Sequence, residues 1–398
     1  MQKLKKSISL LLSMMIIISV LSGVDLLAQA ADIHDVSVSN VKTVFKIHNI
    51  TYNGTVTTNL GGISAGTANN RVFAVKSSSN QTVATFYYYD NIYDTAYAKE
   101  TKTPLRIVFP NSFLAHANSM TVDDDYVYIS MWKKDSTTNR NKIMRVTRKY
   151  ISSVKDRAVV EDAGKIGNSE NHKYKVLLKS GEKVEFCRDF TVKYTDGSEY
   201  NKSITQIAKY SYDKENGITK FLITASKKND NERYYAVATL KNNAITVEKG
   251  ETFTLLNNLP NDSITAQDIF YDSKYGLYVL YWGYKNDTGK GSNVKNYVVR
   301  YNISSLKNKT KGVSISYQPS KIIGINGSSS KYDQYELESL AFINRDSSKN
   351  KMDKPAFIFS SNNVGAESDS TGSGRVDSIE KITYKSTDQG IVDLYANI

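Results

Sequence analysis

The chain has 398 residues, a formal net charge of +12 and a single cysteine, Cys187. One cysteine excludes an intramolecular disulfide, which suits an exported bacterial protein better than a disulfide-stapled animal protein. The positive charge favours an anionic partner such as a wall polymer. No tight Lys/Arg block is present, so nucleic acid is not an expected partner. The surroundings of Cys187, "KVEFCRDF", predict a strand with a packed thiol.

The first 30 residues have the pattern of a cleaved export signal. Three lysines precede an apolar run from Ile8 to Leu21, and Ala28-Gln29-Ala30 supplies a small-x-small cleavage site. The alternative is an uncleaved anchor, but the run is short for a bilayer span. We therefore predict a signal peptide over 1–30, a single domain over 31–398, and a secreted monomer without stable membrane insertion. Removal of the signal lowers the formal net charge to +10.

The rest of the chain shows short alternating strands rich in Val, Ile, Tyr and Phe, bounded by Asn, Asp, Gly and Ser. Five stretches share one order: a polar start, a strand, a polar turn, a second strand and then a third. Fourth strands such as "PLRIVFP" and "SKIIGI" precede the next repeat. The residues that mark the five repeats are spaced by 55, 87, 62 and 71 positions, and they are Ala65, Met120, Ile207, Ile269 and Leu340.

Uneven repeats of three to four strands predict an all-β fold, a β-propeller of five blades. A sixth blade is possible around the hairpin at Lys173 to Tyr194. The strand at 44–50 has no blade of its own upstream, so we expect it to pair with the strand near 378–384 and close the ring. Closure of this kind removes exposed sheet edges. The alternative architecture is a β-sandwich, whose strands would alternate without this repeating order.

In a propeller the first strand of each blade lines the central channel, and its start lies beside the end of the antiparallel second strand. This geometry predicts one rim with two tryptophans, an imidazole, amides and carboxylates. Flat rings beside amides and carboxylates suit a sugar, although both tryptophans are equally compatible with plugs between blades. The predicted binding residues, called the predicted rim below, are His116, Asn118, Trp132, Gln267, Trp282, Glu336 and Glu338.

Catalytic and metal chemistry finds little support in the sequence. We predict that Asp123 to Asp125 form a solvated turn, since a calcium loop needs spaced oxygen ligands. No zinc site and no cofactor is expected, because no second His or Cys recurs at matching places. A glycoside hydrolase needs two carboxyls about 5 to 10 Å apart across the bond. Glu336 and Glu338 come from one strand, and alternation turns Asp268 to the other sheet face, so no catalytic residue is assigned.

Three stretches of the chain resemble the helveticin J-like bacteriocins: "AHANSMTVDDDYVYIS", "TAQDIFYDSKYGLYVLY" and "YELESLAF". The resemblance spans about Ala115 to Tyr384 and implies a propeller-like protein exported by a Gram-positive bacterium. Better-known members of that family kill related bacteria. The present chain departs from the family in its clear export signal and in a Ser/Gly-rich loop at Ser360 to Arg375. No catalytic residue follows from the resemblance.

Three functions remain open from the sequence. The first is a secreted, non-enzymatic propeller that binds a cell-surface glycan or anionic wall polymer, with or without bacteriocin activity. The second is a polysaccharide-cleaving enzyme, a glycoside hydrolase or lyase, on the same scaffold. The third is a protein-interaction module. Two carboxylates from different blades that face each other across the channel would favour the enzyme.

Overall fold

A computed structural model of the chain describes residues 33–36, 41–65, 70–132, 140–229, 232–259, 264–273, 276–283, 295–303, 315–326, 335–343, 356–363 and 378–382. The predicted signal peptide, 1–30, lies outside these residues. Strands dominate the described part, as the alternating sequence predicts. One short α-helix, α1 (Thr95–Ala98), and one 3-10 turn at Ile151–Ser153 are the helical elements in these ranges. None of the described helices is long and apolar enough to span a membrane.

The strands fall into five successive groups, called repeats 1 to 5. Before them come β1 (Ile33–Val36), β2 (Val41–Lys46) and β3 (Ile50–Tyr52). Repeat 1 contains β4 (Thr55–Ala65), β5 (Val72–Ser78), β6 (Ala84–Tyr89) and β7 (Leu105–Phe109). Repeat 2 contains β8 (Met120–Val122), β9 (Tyr126–Ser130), β10 (Lys142–Thr147), β11 (Ala158–Val159), β12 (Glu161–Lys165), β13 (His172–Leu177) and β14 (Lys183–Tyr194).

Repeat 3 contains β15 (Ile207–Asp213), β16 (Ile218–Asn229), β17 (Glu232–Lys241), β18 (Ala244–Val247) and β19 (Phe253–Leu256). Repeat 4 contains β20 (Ile264–Asp272), β21 (Gly276–Gly283), β22 (Lys295–Tyr301), β23 (Ile315–Tyr317) and β24 (Lys321–Asn326). Repeat 5 contains β25 (Tyr335–Ile343), β26 (Ala356–Asn363) and β27 (Ser378–Ile382).

These strands form four hydrogen-bonded sheets that curl and nearly close. Repeats 1, 4 and 5 each have their own sheet, and repeats 2 and 3 share a larger one through the parallel pairing of β14 with β18. Two strands join the sheet of a neighbouring repeat: β11 pairs with β7 of repeat 1, and β23 pairs with β19 of repeat 3. The first strands of the repeats, called the inner strands, contact each other in cyclic order: β4, β8, β15, β20, β25 and again β4. The hairpin of β13 and β14 pairs with β10 and therefore extends the sheet of repeat 2.

The core is divided in the same cyclic way. Within the described residues, five apolar clusters each join two neighbouring repeats. The cluster between repeats 5 and 1, for example, packs Ile343 and Ile358 against Leu60 and Tyr87. Cys187 lies in the cluster between repeats 1 and 2 at 2% exposure, which confirms the packed thiol, and its burial raises the pKa well above its usual value.

The N-terminal strand pairs with the last strand, as the closure prediction requires, but in a shifted position. Antiparallel β2 pairs with β27 over Val41↔Ile382 to Lys46↔Ser378. The predicted range 44–50 is therefore correct for 44–46 and wrong beyond it, because the chain leaves β27 there and β3 pairs with β4. Strand β1, which was not predicted, pairs in parallel with β24 of repeat 4.

Candidate functional site

The structure brings His116 and Trp132 of the predicted rim together. The His116 amide donates to the Trp132 carbonyl across 2.9 Å, and the two rings have centroids 5.6 Å apart. Asn59 of β4 adds its side-chain Nδ2 at 3.3 Å from His116 Nε2. Both rings are half-buried. A contact between an imidazole, an indole and an amide therefore exists between repeats 1 and 2.

The backbone that presents His116 is strained. Ala115 and Ala117, its two neighbours, have φ of 52° and 53°, in the left-handed region that costs an alanine about 1 to 2 kcal/mol. Repeat 1 approaches this segment so closely that only glycine fits at Gly61, where an added Cβ would lie 2.8 Å from the Ala117 carbonyl oxygen. The Gly62 amide donates to the same oxygen across 2.8 Å. Strain maintained by tight packing is a common feature of functional sites.

Beside His116, Asn118 presents an amide that the protein does not fully use. Its Oδ1 is buried and has no hydrogen-bond donor among the described residues. A buried acceptor without a donor costs about 1 to 3 kcal/mol, unless a ligand or water supplies the missing hydrogen bond.

In repeats 4 and 5, the other predicted rim residues do not follow the regular alternation of side chains between the two faces of a strand. Gln267 and Glu338 each sit at a β-bulge, as the extra residue between Ala266 and Asp268 and between Leu337 and Ser339. Both side chains are buried, at 6% and 5% exposure.

The bulge also shifts the register of Trp282. This half-buried residue is paired with Thr265, two positions before Gln267 of the predicted rim. The backbone of Glu336 is paired with Asn362, and the placement of the Glu336 side chain lies outside the described part of the structure.

Asp268 is the residue that sequence reasoning placed wrongly. Strict alternation turned it away from the channel, but the bulge at Gln267 reverses the alternation and directs its carboxylate toward the neighbouring inner strands. The Ser119 hydroxyl donates to Oδ1 and the Ser339 hydroxyl donates to Oδ2. The Leu340 and Ile269 amides donate across 3.2 and 2.9 Å. Asp268 thus joins repeats 2, 4 and 5 within the ring of inner strands.

The same network continues to the other repeats through serine. Ser119 accepts a hydrogen bond from the Ile207 amide, and Ser339 accepts one from the Ile63 amide across 3.0 Å. All five inner strands are therefore connected by polar contacts around Asp268. Asp268 is fully buried, and this burial raises its pKa to about 7, although the four donors lower it in part. A bulge has no clear signal in the sequence. A polar residue does recur directly before Met120, Ile207, Ile269 and Leu340, and this recurrence could have indicated a polar network between the inner strands.

The aspartate run at 123–125 forms a turn, as predicted, but Asp123 is not solvated. It is 3% exposed, and its Oδ1 accepts from the Asp125 and Tyr126 amides at 2.9 and 2.7 Å. The Tyr128 hydroxyl donates to Oδ2 across 2.8 Å. The buried Asp123 side chain therefore accepts its hydrogen bonds from the two amides and the hydroxyl of the protein, where the prediction assumed water. No cluster of three metal-ligating side chains exists among the described residues.

Replacement of Asp123 should therefore affect stability without any involvement of calcium. We expect Asp123→Ala to lower the free energy of unfolding by about 1 to 3 kcal/mol, because it leaves buried donors unpaired. Asp124→Asn, at the exposed neighbouring position, is the matched control and should change it by less than about 0.5 kcal/mol. Urea unfolding with calcium and with a chelator measures both. A calcium-dependent stabilisation that Asp123→Ala abolishes would show that the turn binds the ion.

Comparison with known proteins gives only distant similarities. No family model matches the chain. No curated protein matches it in sequence. Solved structures that match the chain include a bifunctional GH43-CE protein of Bacteroides eggerthii, with 8% identity and a TM-score of 0.36 over 84% of this chain. The chain spans about a third of that protein, 34% of its length.

A second similar structure is the polysaccharide lyase Uly1, with 9% identity and a TM-score of 0.26. That similarity covers 90% of this chain and 98% of the lyase. At such low identities and TM-scores, neither protein indicates what this chain binds or whether it has an activity.

Proposed function

We propose that the chain is a secreted five-bladed β-propeller that binds a cell-surface glycan or anionic wall polymer without cleaving it. Five inner strands in cyclic contact and five inter-repeat clusters support five blades over six. The hairpin of β13 and β14 belongs to the sheet of repeat 2, which argues against an additional blade there. The positive net charge supports an anionic surface as the partner. A helveticin-like bacteriocin role is part of this proposal.

The observation that carries the proposal is the strained presentation of His116 beside Trp132. The fold places two alanines in the left-handed region to hold an imidazole against an indole, and Asn118 leaves a buried acceptor unused. A sugar can satisfy such a group, because its CH face stacks on the indole and its hydroxyls donate to the amide. A purely structural role would not require an unused acceptor at this point.

The alternative function is polysaccharide cleavage, and one observation favours it. Asp268 has a pKa of about 7, so it keeps a proton near neutral pH, as a general acid must. Glu338 of the neighbouring inner strand would then be the second carboxyl. Against this reading, Asp268 is fully buried and both its oxygens already accept hydrogen bonds inside the protein. We therefore rank binding first.

Tryptophan and carboxyl substitutions separate the two functions. Trp132→Ala and Trp282→Ala should each weaken binding to wall fragments by about 1 to 3 kcal/mol, since an aromatic anchor dominates such contacts. Glu338→Gln should weaken it less. Tyr234→Ala, a half-buried ring on the outer strand β17, is the matched control and should bind like wild type. Binding, product release and melting temperature are measured for each variant.

Each outcome of this comparison is informative. Loss of product release in Glu338→Gln with unchanged binding would establish the enzyme instead. Wild-type binding by both tryptophan variants, together with much lower melting temperatures, would identify the rings as core plugs and refute the binding face.

A further inference from the structure

A separate cavity of about 480 Å³ opens where four of the inner strands end. The predicted rim involves the opposite ends of these strands, since His116 precedes β8 and the cavity is lined by the residues that end β8 and follow it. Its volume lies within the range typical of small-molecule sites, about 300 to 1,000 Å³. The strand ends that line it are Ser64–Ala65, Thr121–Asp124, Lys209–Tyr212 and Phe270–Ser273, together with Arg148.

Side chains of both charges line this cavity, and several of them form no salt bridge with a described residue. Lys209 makes no ion pair with any described residue, although its backbone amide donates to Thr121 Oγ1 across 2.9 Å. Arg148 donates to the Asp123 carbonyl and lies over the Phe73 ring, which leaves other guanidinium donors available. Asp124 is exposed and has no salt bridge to a described residue. Donors and acceptors are thus both offered to a ligand.

Aromatic rings supply the second recognition element. Tyr210 and Tyr271 lie with ring centroids 4.9 Å apart and an interplanar angle of 48°. Tyr271 is mostly buried at 8% exposure, so its ring is fixed by packing. Phe270 lines the cavity beside them. Fixed rings offer a flat surface to the CH face of a ring-shaped ligand.

We propose that this cavity binds a neutral oligosaccharide and contacts one to three of its sugar rings. Asp124 and Asp272 would repel an anionic ligand, and Lys209 and Arg148 would repel a cationic one. Sugar hydroxyls donate and accept at once, so they satisfy both kinds of group while the ring stacks on tyrosine. The site uses the other ends of the inner strands, and it stands whether or not the predicted rim binds a polymer.

Calorimetry with defined hexasaccharides tests this site on the full mature chain. The neutral probes are cellohexaose, maltohexaose and the hexamer of N-acetylglucosamine, and the charged probes are hexagalacturonate and the glucosamine hexamer. We expect at least one neutral probe to bind with a Kd below about 1 mM and more tightly than either charged probe. Trp132 follows β9 and contacts His116 at the predicted rim, so Trp132→Ala distinguishes the two sites, since binding at the cavity does not depend on this residue.

Two substitutions of opposite charge identify the ligand chemistry. Lys209→Met and Asp124→Ala should each weaken the neutral probe about fivefold, because each removes a hydrogen bond to a hydroxyl. Lys220→Met, at an exposed position of β16, is the matched control and should bind like wild type. For an anionic ligand, Asp124→Ala would strengthen binding instead. Melting temperatures confirm that the variants remain folded.

Three results would overturn the proposal. The first is that no neutral probe binds with a Kd below about 1 mM. The second is a preference for hexagalacturonate that Asp124→Ala increases, which would make the cavity an anion site. The third is binding of a neutral probe that Trp132→Ala abolishes and the Lys209 and Asp124 variants leave intact, which would place the sugar at the predicted rim alone.

Discussion

Truncation of Phe45 in β2 is expected to destabilise the protein by about 3 to 5 kcal/mol, as for other fully buried phenylalanines. Phe45 is 2% exposed and stacks on Tyr89 with ring centroids 4.2 Å apart. It belongs to the apolar cluster between repeats 5 and 1. Because β2 is hydrogen-bonded to β27 of repeat 5, the ring joins the two ends of the chain. Phe45→Ala therefore opens the contact between the first and the last repeat.

Deletion of residues 31–52 should have a larger effect than Phe45→Ala. It removes the strand partner of β27 and two acceptors of a buried lysine, since Lys76 Nζ donates to the Ile47 carbonyl across 3.0 Å and to Asn49 Oδ1. Lys76 is 1% exposed, and the loss of these two acceptors from a buried ammonium is costly. The deletion also exposes the edge of β27.

Urea unfolding measures both changes against a control in the same part of the chain. Val56→Ala on β4, at 39% exposure, should change the free energy of unfolding by less than about 0.5 kcal/mol. If Phe45→Ala costs less than about 1 kcal/mol, β2 does not hold the two ends of the chain together.

Wild-type stability should fall as the pH rises from about 4 to about 7 through the contribution of Asp268. Burial raises the pKa of this carboxyl from 3.8 to about 7 in the folded protein. The native state therefore keeps a proton that the unfolded state releases near pH 4. The stabilisation from this proton is fully present below about pH 4 and is lost by about pH 7. The free energy of unfolding falls by up to about 1.4 kcal/mol per pH unit where the folded and unfolded states differ by one bound proton.

Asp268→Asn should remove this pH dependence, because an amide does not titrate. The measured quantity is the difference in the free energy of unfolding between wild type and variant, from urea unfolding at pH 4 to 8. Asp196→Asn is the control, since the hydrogen bonds from Ser198 lower the pKa of that exposed carboxyl to about 2, and its stabilisation is lost only below about pH 4. A difference that stays constant from pH 4 to 8 would show that Asp268 is ionised throughout.

The sequence by itself determined the strands and their repeating order. Alternation with period two places apolar side chains on one face of a strand, and Asn, Asp and Gly mark its ends, so both signals are local. For this reason "KIMRVTRKY" correctly predicts β10, and "DSIEKITY" correctly predicts β27. The partner of the N-terminal strand also followed from the sequence, because a strand without an upstream repeat needs the last one to complete its pairing.

Only the tertiary structure decided where polar side chains point. One inserted residue at Gln267 reverses the alternation and moves Asp268 from the expected outer face into the network of Ser119 and Ser339. Such a bulge depends on how the inner strands approach each other, as at Gly61, where the carbonyl of Ala117 leaves no space for a Cβ. The cavity beside Lys209 likewise requires four strand ends that are far apart in sequence to meet. Contacts between distant segments have no local signature, so the sequence predicts the strands but not the groups that they bring together.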